Sequence, residues 1–187
     1  SINFNKHYSY YNGGGSTFNS EFAINTGFIT PLSYTRNAYS FNKNNFDYSL
    51  ANIFKESGYS VNAFHMNTGE YYSRTINYKN WGYDNYYGLI DMFNYENNNY
   101  ELDSELILNK EFSDLMISNK FVDYIITYSP HLPFSSSKGV CSMLTDKTNL
   151  TEEECVRIQV SETDKFVGLL LNKLKENKVL DNTVIVG

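Results

Sequence analysis

The first group in this sequence equipped to do chemistry is a threonine at the end of a glycine-rich run. Gly13-Gly14-Gly15-Ser16-Thr17 leads into Phe18-Asn19-Ser20-Glu21-Phe22-Ala23, a turn followed by a helix start. A hydroxyl there meets free backbone N–H groups and the positive end of the helix dipole, surroundings that bind phosphate and favour an alkoxide. Thr17 is therefore a candidate nucleophile, although Ser or Thr at a helix N-terminus also serves as an ordinary cap. The run is not a P-loop, since no Gly-Lys-Ser/Thr occurs. Only three histidines are present, and two of them, His65 and His131, fall just after predicted strands. Arg74, in Glu70-Tyr71-Tyr72-Ser73-Arg74, has the fork to clamp a phosphate bidentately, while Tyr72 offers a face and a hydroxyl to a polyol. Taken singly, each also suits a hydrogen-bonded or solvated loop residue. Chemistry requires that they converge.

Convergence depends on the elements between them. Helical and strand patterns alternate along the chain, which favours a layered α/β domain. Tyr48 to Ser57 reads as an amphipathic helix ended by Gly58, and the alternation from Tyr59 to His65 as a strand, followed by a polar loop from Met66 to Arg74. A helix over 103–119 precedes a strand over Phe121–Tyr128, which runs into Ser129-Pro130-His131-Leu132-Pro133-Phe134. Ligand groups in open α/β sheets gather at the carboxyl ends of strands, where both histidines are expected. Asn77 to Tyr100 reads as a long surface segment with little regular structure, with Asn97-Asn98-Asn99 at a loop tip. Thr151-Glu152-Glu153-Glu154 has the form of a capping box opening a helix over about 152–177. Asp181-Asn182 then makes a turn, and the β-branched Thr183-Val184-Ile185-Val186 reads as a buried strand.

Composition narrows the partners. The 187 residues carry a net charge of −6, with no clustered Lys and Arg to neutralise a nucleic-acid backbone. The 17% aromatic content, with 17 Tyr and 13 Phe, suggests a surface suited to sugars and polar head groups. No stretch of about 20 apolar residues exists to span a membrane. Cys141 and Cys155 match neither a zinc site nor a CxxC motif. They either remain two free thiols or close a short loop as a disulfide in an oxidising compartment, which would add roughly 3 kcal/mol.

Several segments together resemble one family. Gly15-Ser16-Thr17-Phe18-Asn19-Ser20-Glu21-Phe22 is similar to the nucleophile segment of lipoteichoic acid synthases and related phosphoglycerol transferases of the sulfatase and alkaline phosphatase superfamily. Phe64-His65-Met66-Asn67, with Tyr71-Tyr72-Ser73-Arg74 and the stretch from Tyr78 to Asp84 after it, resembles that family's substrate loop. Ser129 to Phe134 resembles its T/S-x-H-x-P-F segment, and Leu180 to Val186 the strand before its Asp-His metal motif.

The resemblance implies a three-layer α/β sandwich, with a mostly parallel sheet and helices on both faces, of which residues 1–187 form a single partial catalytic domain. It implies that Thr17 is the nucleophile that becomes glycerophosphorylated and also touches a divalent cation, usually manganese (Mn2+). His65, Asn67, Tyr72, Arg74 and His131 would line the glycerophosphate pocket. The family often has Asp where Asn67 stands and Trp where Tyr72 stands, so the head group recognised can differ. The other metal ligands would lie outside residues 1–187, leaving this piece inactive alone, with metal absent or weakly bound. Its parent would be anchored at the extracellular face of a bacterial membrane, taking glycerophosphate from a phosphatidylglycerol-like lipid to a glycolipid or glycan acceptor. A phosphoethanolamine transferase is an alternative. A sulfatase-family hydrolase is another, although Thr17-Phe18-Asn19 lacks the C/S-x-P-x-R context. A glycan- or glycolipid-binding module without catalysis is the alternative from another class.

Overall fold

A computed structural model describes residues 17–29, 38–93, 102–117 and 120–187. Its centre is a parallel sheet of three strands, β1 (Ser60–His65), β2 (Asn85–Tyr87) and β3 (Phe121–Ile126), in the order β2-β1-β3. Each residue of β1 from Ser60 to His65 faces one of β3 from Phe121 to Ile126, so His65 and Ile126 end the two strands side by side. Parallel strands need crossovers, and the helices that supply them cover both faces. The side chains alternate accordingly. Val61, Ala63, Val122, Tyr124 and Ile126 face a layer built from α1 (Thr17–Thr26), α2 (Leu50–Glu56) and α3 (Arg74–Asn80). Phe64 and Ile125 face α5 (Asp103–Leu108), α6 (Lys110–Met116), α7 (Gly139–Leu144) and α8 (Glu152–Glu176), with the short α4 (Leu89–Phe93) at the same side. The architecture is the three-layer α/β arrangement that the sequence leads one to expect.

The best-signalled elements form for the expected reasons. The Thr151 side chain accepts from the Glu154 N–H while Glu154 reaches back to the Thr151 N–H, so the capping box starts α8 where the motif stands. Gly58 adopts φ +79° directly after α2, in the left-handed region where a side chain would be strained.

Other expectations need correction. The helix expected over 103–119 is two helices, because Asn109 takes an extended ψ of 114° and its side chain accepts from the Glu111 N–H, capping α6 afresh. The segment after Asn77 is not a surface loop: it finishes α3 and supplies β2 and α4, and Tyr78 and Trp81 are fully buried. Much of the aromatic content likewise packs inside, where Phe18, Phe22, Tyr78, Trp81 and Tyr83 form one cluster. Each such ring removed from water contributes roughly 1.5–3 kcal/mol, ahead of any role at the surface. The strand expected at Thr183–Val186 does not form. After a turn at Leu180–Asn182 no described strand pairs with it, and Val184 and Val186 are 88% and 90% exposed. A β-strand without a neighbour leaves its backbone groups to water. Residues 97–99 and the glycine run 13–15 lie outside the described residues.

Of the two readings of the cysteines, the disulfide holds: Cys141 and Cys155 are bonded and completely buried, fastening α7 to α8.

Candidate functional site

Thr17 is the first residue of α1 and is exposed, so its hydroxyl sits at the positive end of a three-turn helix. The helix is held in place by its next residues. Phe18 is fully buried, with its ring 5.7 Å from that of Tyr72 and 5.9 Å from the Arg74 guanidinium. One turn further on, Glu21 receives Arg74 through two bonds, Nε to Oε2 at 3.0 Å and Nη2 to Oε1 at 2.6 Å, and the Tyr78 hydroxyl donates to it at 3.0 Å. The α1 start, Tyr72 and Arg74 therefore form one assembly.

Arg74 is not the free fork that a polar loop would offer. It opens α3, and both it and Glu21 are only 3% exposed. Burial works against its charge, but the bonds and negative charge of Glu21 prevail and hold its pKa above the ordinary guanidinium value. Glu21 engages the Nε–Nη2 edge, and among the described hydrogen bonds none engages Nη1. Tyr72 is half-buried, stacked on Tyr39 with centroids 5.6 Å apart and lying 5.1 Å from the Arg74 guanidinium carbon.

The two imidazoles form a second assembly. His65 is the last residue of β1, at the carboxyl end where the alternation places it, and is 4% exposed. Its Nδ1 lies 2.8 Å from the Ile126 carbonyl oxygen, which can only accept, so the proton is on Nδ1 and Nε2 carries a lone pair. Burial first, and then the charge of Arg74, lowers its pKa to about 3. At neutral pH it is an uncharged acceptor, not a cation for phosphate. The exposed His131 likewise directs Nδ1 to the Leu132 carbonyl oxygen at 2.7 Å. Tyr128 lies between them, 6.1 Å from the His65 ring and stacked at 5.3 Å on His131. Asn67 is half-buried, and its Oδ1 accepts from the Thr68 N–H at 2.7 Å. Among the described contacts, none joins Asn67 to the other candidates.

The His131 turn is fixed from behind by residues the sequence did not single out. The Asp103 carboxylate accepts the N–H groups of Tyr128 and Ser129, and Gln159 donates from Nε2 to the carbonyls of Ser129 and His131, both at 2.8 Å. Glu21 and Asp103 each carry a readable sign, an acidic residue among the apolar positions of a helix, but its partner is visible only in three dimensions.

These residues do not complete a metal centre. Among the described residues no three His, Cys, Asp or Glu come together in a way that would hold an ion, and Thr17 supplies a single oxygen. Nor is any helix among them long and apolar enough to cross a membrane.

Comparison with known proteins agrees with the fold. The sequence matches the sulfatase family over residues 1–186. No curated protein matches it. Among solved structures, the lipoteichoic acid synthase LtaP from Listeria monocytogenes superposes with a TM-score of 0.69 at 24% identity, over 88% of this chain and 41% of that one. A protein in the alkaline phosphatase superfamily from Vibrio parahaemolyticus superposes with a TM-score of 0.53 at 19% identity, over 82% of this chain and 38% of that one. At these identities the likeness shows the fold. The chain spans about two fifths of the length of either structure.

Proposed function

The chain belongs to the sulfatase family, and from that premise we propose that its parent is a metal-dependent phosphoglycerol transferase of the lipoteichoic acid synthase kind, with residues 1–187 as part of its catalytic domain. The observation that supports this is the bridge from the Thr17 helix through Glu21 to Arg74, with His65 held neutral by burial and by the charge of that guanidinium. These groups would supply a nucleophile, a fixed positive charge and a hydroxyl acceptor, which is what a glycerophosphate group asks for.

In the proposed reaction the Thr17 oxygen attacks the phosphorus of a phosphatidylglycerol-like donor, forming the Oγ–P bond as the bond to the diacylglycerol oxygen breaks. The Thr17 proton leaves with that oxygen. Arg74 offsets the charge on the phosphoryl oxygens. His65 accepts a glycerol hydroxyl at Nε2, while Tyr72 and Asn67 flank the polyol and His131 closes the exposed side. A hydroxyl of a glycolipid or glycan acceptor then displaces Thr17, gives up its proton and regenerates the enzyme. A divalent cation, expected to be Mn2+, would supply Lewis-acid stabilisation, with Thr17 as one of its ligands. The site would face the extracellular side of a bacterial membrane.

The test is a panel of donors offered to the full-length enzyme with Mn2+: phosphatidylglycerol, phosphatidylethanolamine and an aryl sulfate. Diacylglycerol release from phosphatidylglycerol ahead of the rest is expected. Preference for phosphatidylethanolamine would move the assignment to phosphoethanolamine transfer, and hydrolysis of the sulfate to a sulfatase. Turnover of none of them would favour a binding module.

A further inference from the structure

Tyr72 and Ser73 are consecutive non-glycine residues in the left-handed region, at φ 59°, ψ 19° and φ 51°, ψ 37°. L side chains avoid this region, and such residues persist only where the surroundings hold them. They immediately precede Arg74, so this turn sets the direction in which both Tyr72 and Arg74 leave the backbone. What holds the turn is Asn77, one turn into α3 and completely buried. Its Nδ2 donates to the carbonyls of Tyr72 at 3.2 Å and Ser73 at 3.1 Å, and lies 3.2 Å from that of Tyr39, whose ring stacks on Tyr72.

Two features mark this as more than packing. All three neighbours of Nδ2 are carbonyl oxygens, so the amide cannot be exchanged end for end without losing every bond. Its Oδ1 is also buried without a hydrogen-bond partner. Burying an unsatisfied amide oxygen is unfavourable, and holding two strained residues is unfavourable as well. A site shaped for stability alone would have neither, whereas one that aims two side chains needs the turn and its fastener. Glu21 fixes the far end of Arg74, so backbone and guanidinium are held from opposite sides.

Resting on the assignment of Tyr72 and Arg74 to the ligand pocket above, we infer that Asn77 is a positioning residue: by tying the Tyr72 and Ser73 carbonyls it keeps the left-handed turn that aims Tyr72 and Arg74 at a glycerophosphate ligand. Asn77 itself touches no ligand and acts through the turn.

The experiment measures glycerol 3-phosphate binding by calorimetry, and thermal unfolding, on the full-length enzyme and four variants: Arg74→Gln, Ser73→Gly, Asn77→Ala and Asn77→Ala/Ser73→Gly. Asn77→Ala is expected to raise Kd about tenfold, equivalent to about 1.4 kcal/mol. Glycine accepts the left-handed region freely, so adding Ser73→Gly restores the melting temperature towards that of the parent. Kd stays weak in that double variant, because nothing ties the carbonyls, while Ser73→Gly alone binds as the parent does. A double variant whose Kd recovers together with its melting temperature overturns the inference, showing Asn77 to be merely structural. One that does not fold also overturns it, since the amide would then be holding the core. If Arg74→Gln weakens binding and the Asn77 variants do not, the inference alone falls. If Arg74→Gln binds like the parent, the pocket assignment falls and the inference with it.

Discussion

Replacing Glu21 by Ala removes the counter-charge of Arg74 at a place where both side chains are only 3% exposed. Three donated hydrogen bonds disappear together, two from Arg74 and one from the Tyr78 hydroxyl. An uncompensated buried charge costs about 3–5 kcal/mol. The stranded Tyr78 hydroxyl alone would cost about 1–3 kcal/mol, a loss that overlaps the first, so about 4 kcal/mol is expected for the whole. In urea, with a slope of about 2 kcal/mol/M, the midpoint falls by about 2 M. Trp81, the single tryptophan and fully buried, reports the transition by its fluorescence. Removing both charges in Glu21→Ala/Arg74→Leu leaves no lone ion, so the double variant is more stable than Glu21→Ala alone, with a coupling of about 2 kcal/mol or more. A loss under about 1 kcal/mol for Glu21→Ala, or a double variant that loses the sum of its two singles, would refute the description of this pair as the buried tie between α1 and α3.

Three other perturbations have outcomes set by the same packing. Burial lifts the Asp123 pKa to about 8, against an opposing hydrogen bond from Asn62, and one carboxyl oxygen has no partner. Its folded-state pKa is raised, so its contribution is fully present below the unfolded value near 4 and is lost as pH rises through about 8. Asp123→Asn is therefore expected to stabilise the protein by an amount growing from near zero at pH 4 to about 2–4 kcal/mol at pH 8, read from urea midpoints across that range. His65 is a histidine held neutral: its folded pKa is lowered to about 3, so its contribution is present above about 6.5 and is lost as pH falls towards 3. Relative to His65→Gln, the parent loses about 1.4 kcal/mol per pH unit between pH 6 and 4 in chemical unfolding; parallel curves would contradict its buried neutral state. Cys141→Ala/Cys155→Ala opens a loop of sequence separation 14 and lowers stability by about 3 kcal/mol, a loss checked against reduction of the parent by dithiothreitol.

How much of the fold and the site is legible in the sequence depends on the range of the forces involved. α8 and its capping box are written in adjacent residues, as are the Gly58 stop and the alternation of β1, and all stand where the pattern puts them. The break at Asn109 is hidden because the apolar positions run on across it while a single side chain re-caps the helix. The burial of Tyr78 and Trp81 is masked by their Asn-rich surroundings, since burial there comes from α1 and the sheet rather than from near neighbours. At the site, the residue types are readable and their environments are not. Nothing near Arg74 in sequence says that Glu21 will take one edge of it, and nothing near His65 says that it will be neutral, because both facts arise where separate elements meet. The apolar run at 183–186 has the composition of a strand, but strand formation needs a neighbour that the described residues do not provide.

The most direct test is to trap the covalent intermediate in the full-length enzyme. Incubated with Mn2+ and phosphatidylglycerol, quenched in acid and digested, the enzyme is expected to yield a peptide carrying a glycerophosphate group on Thr17, and Thr17→Ala is expected to yield none. Glycerophosphate on any other residue, or labelling that survives Thr17→Ala, would contradict the assignment of this hydroxyl as the nucleophile.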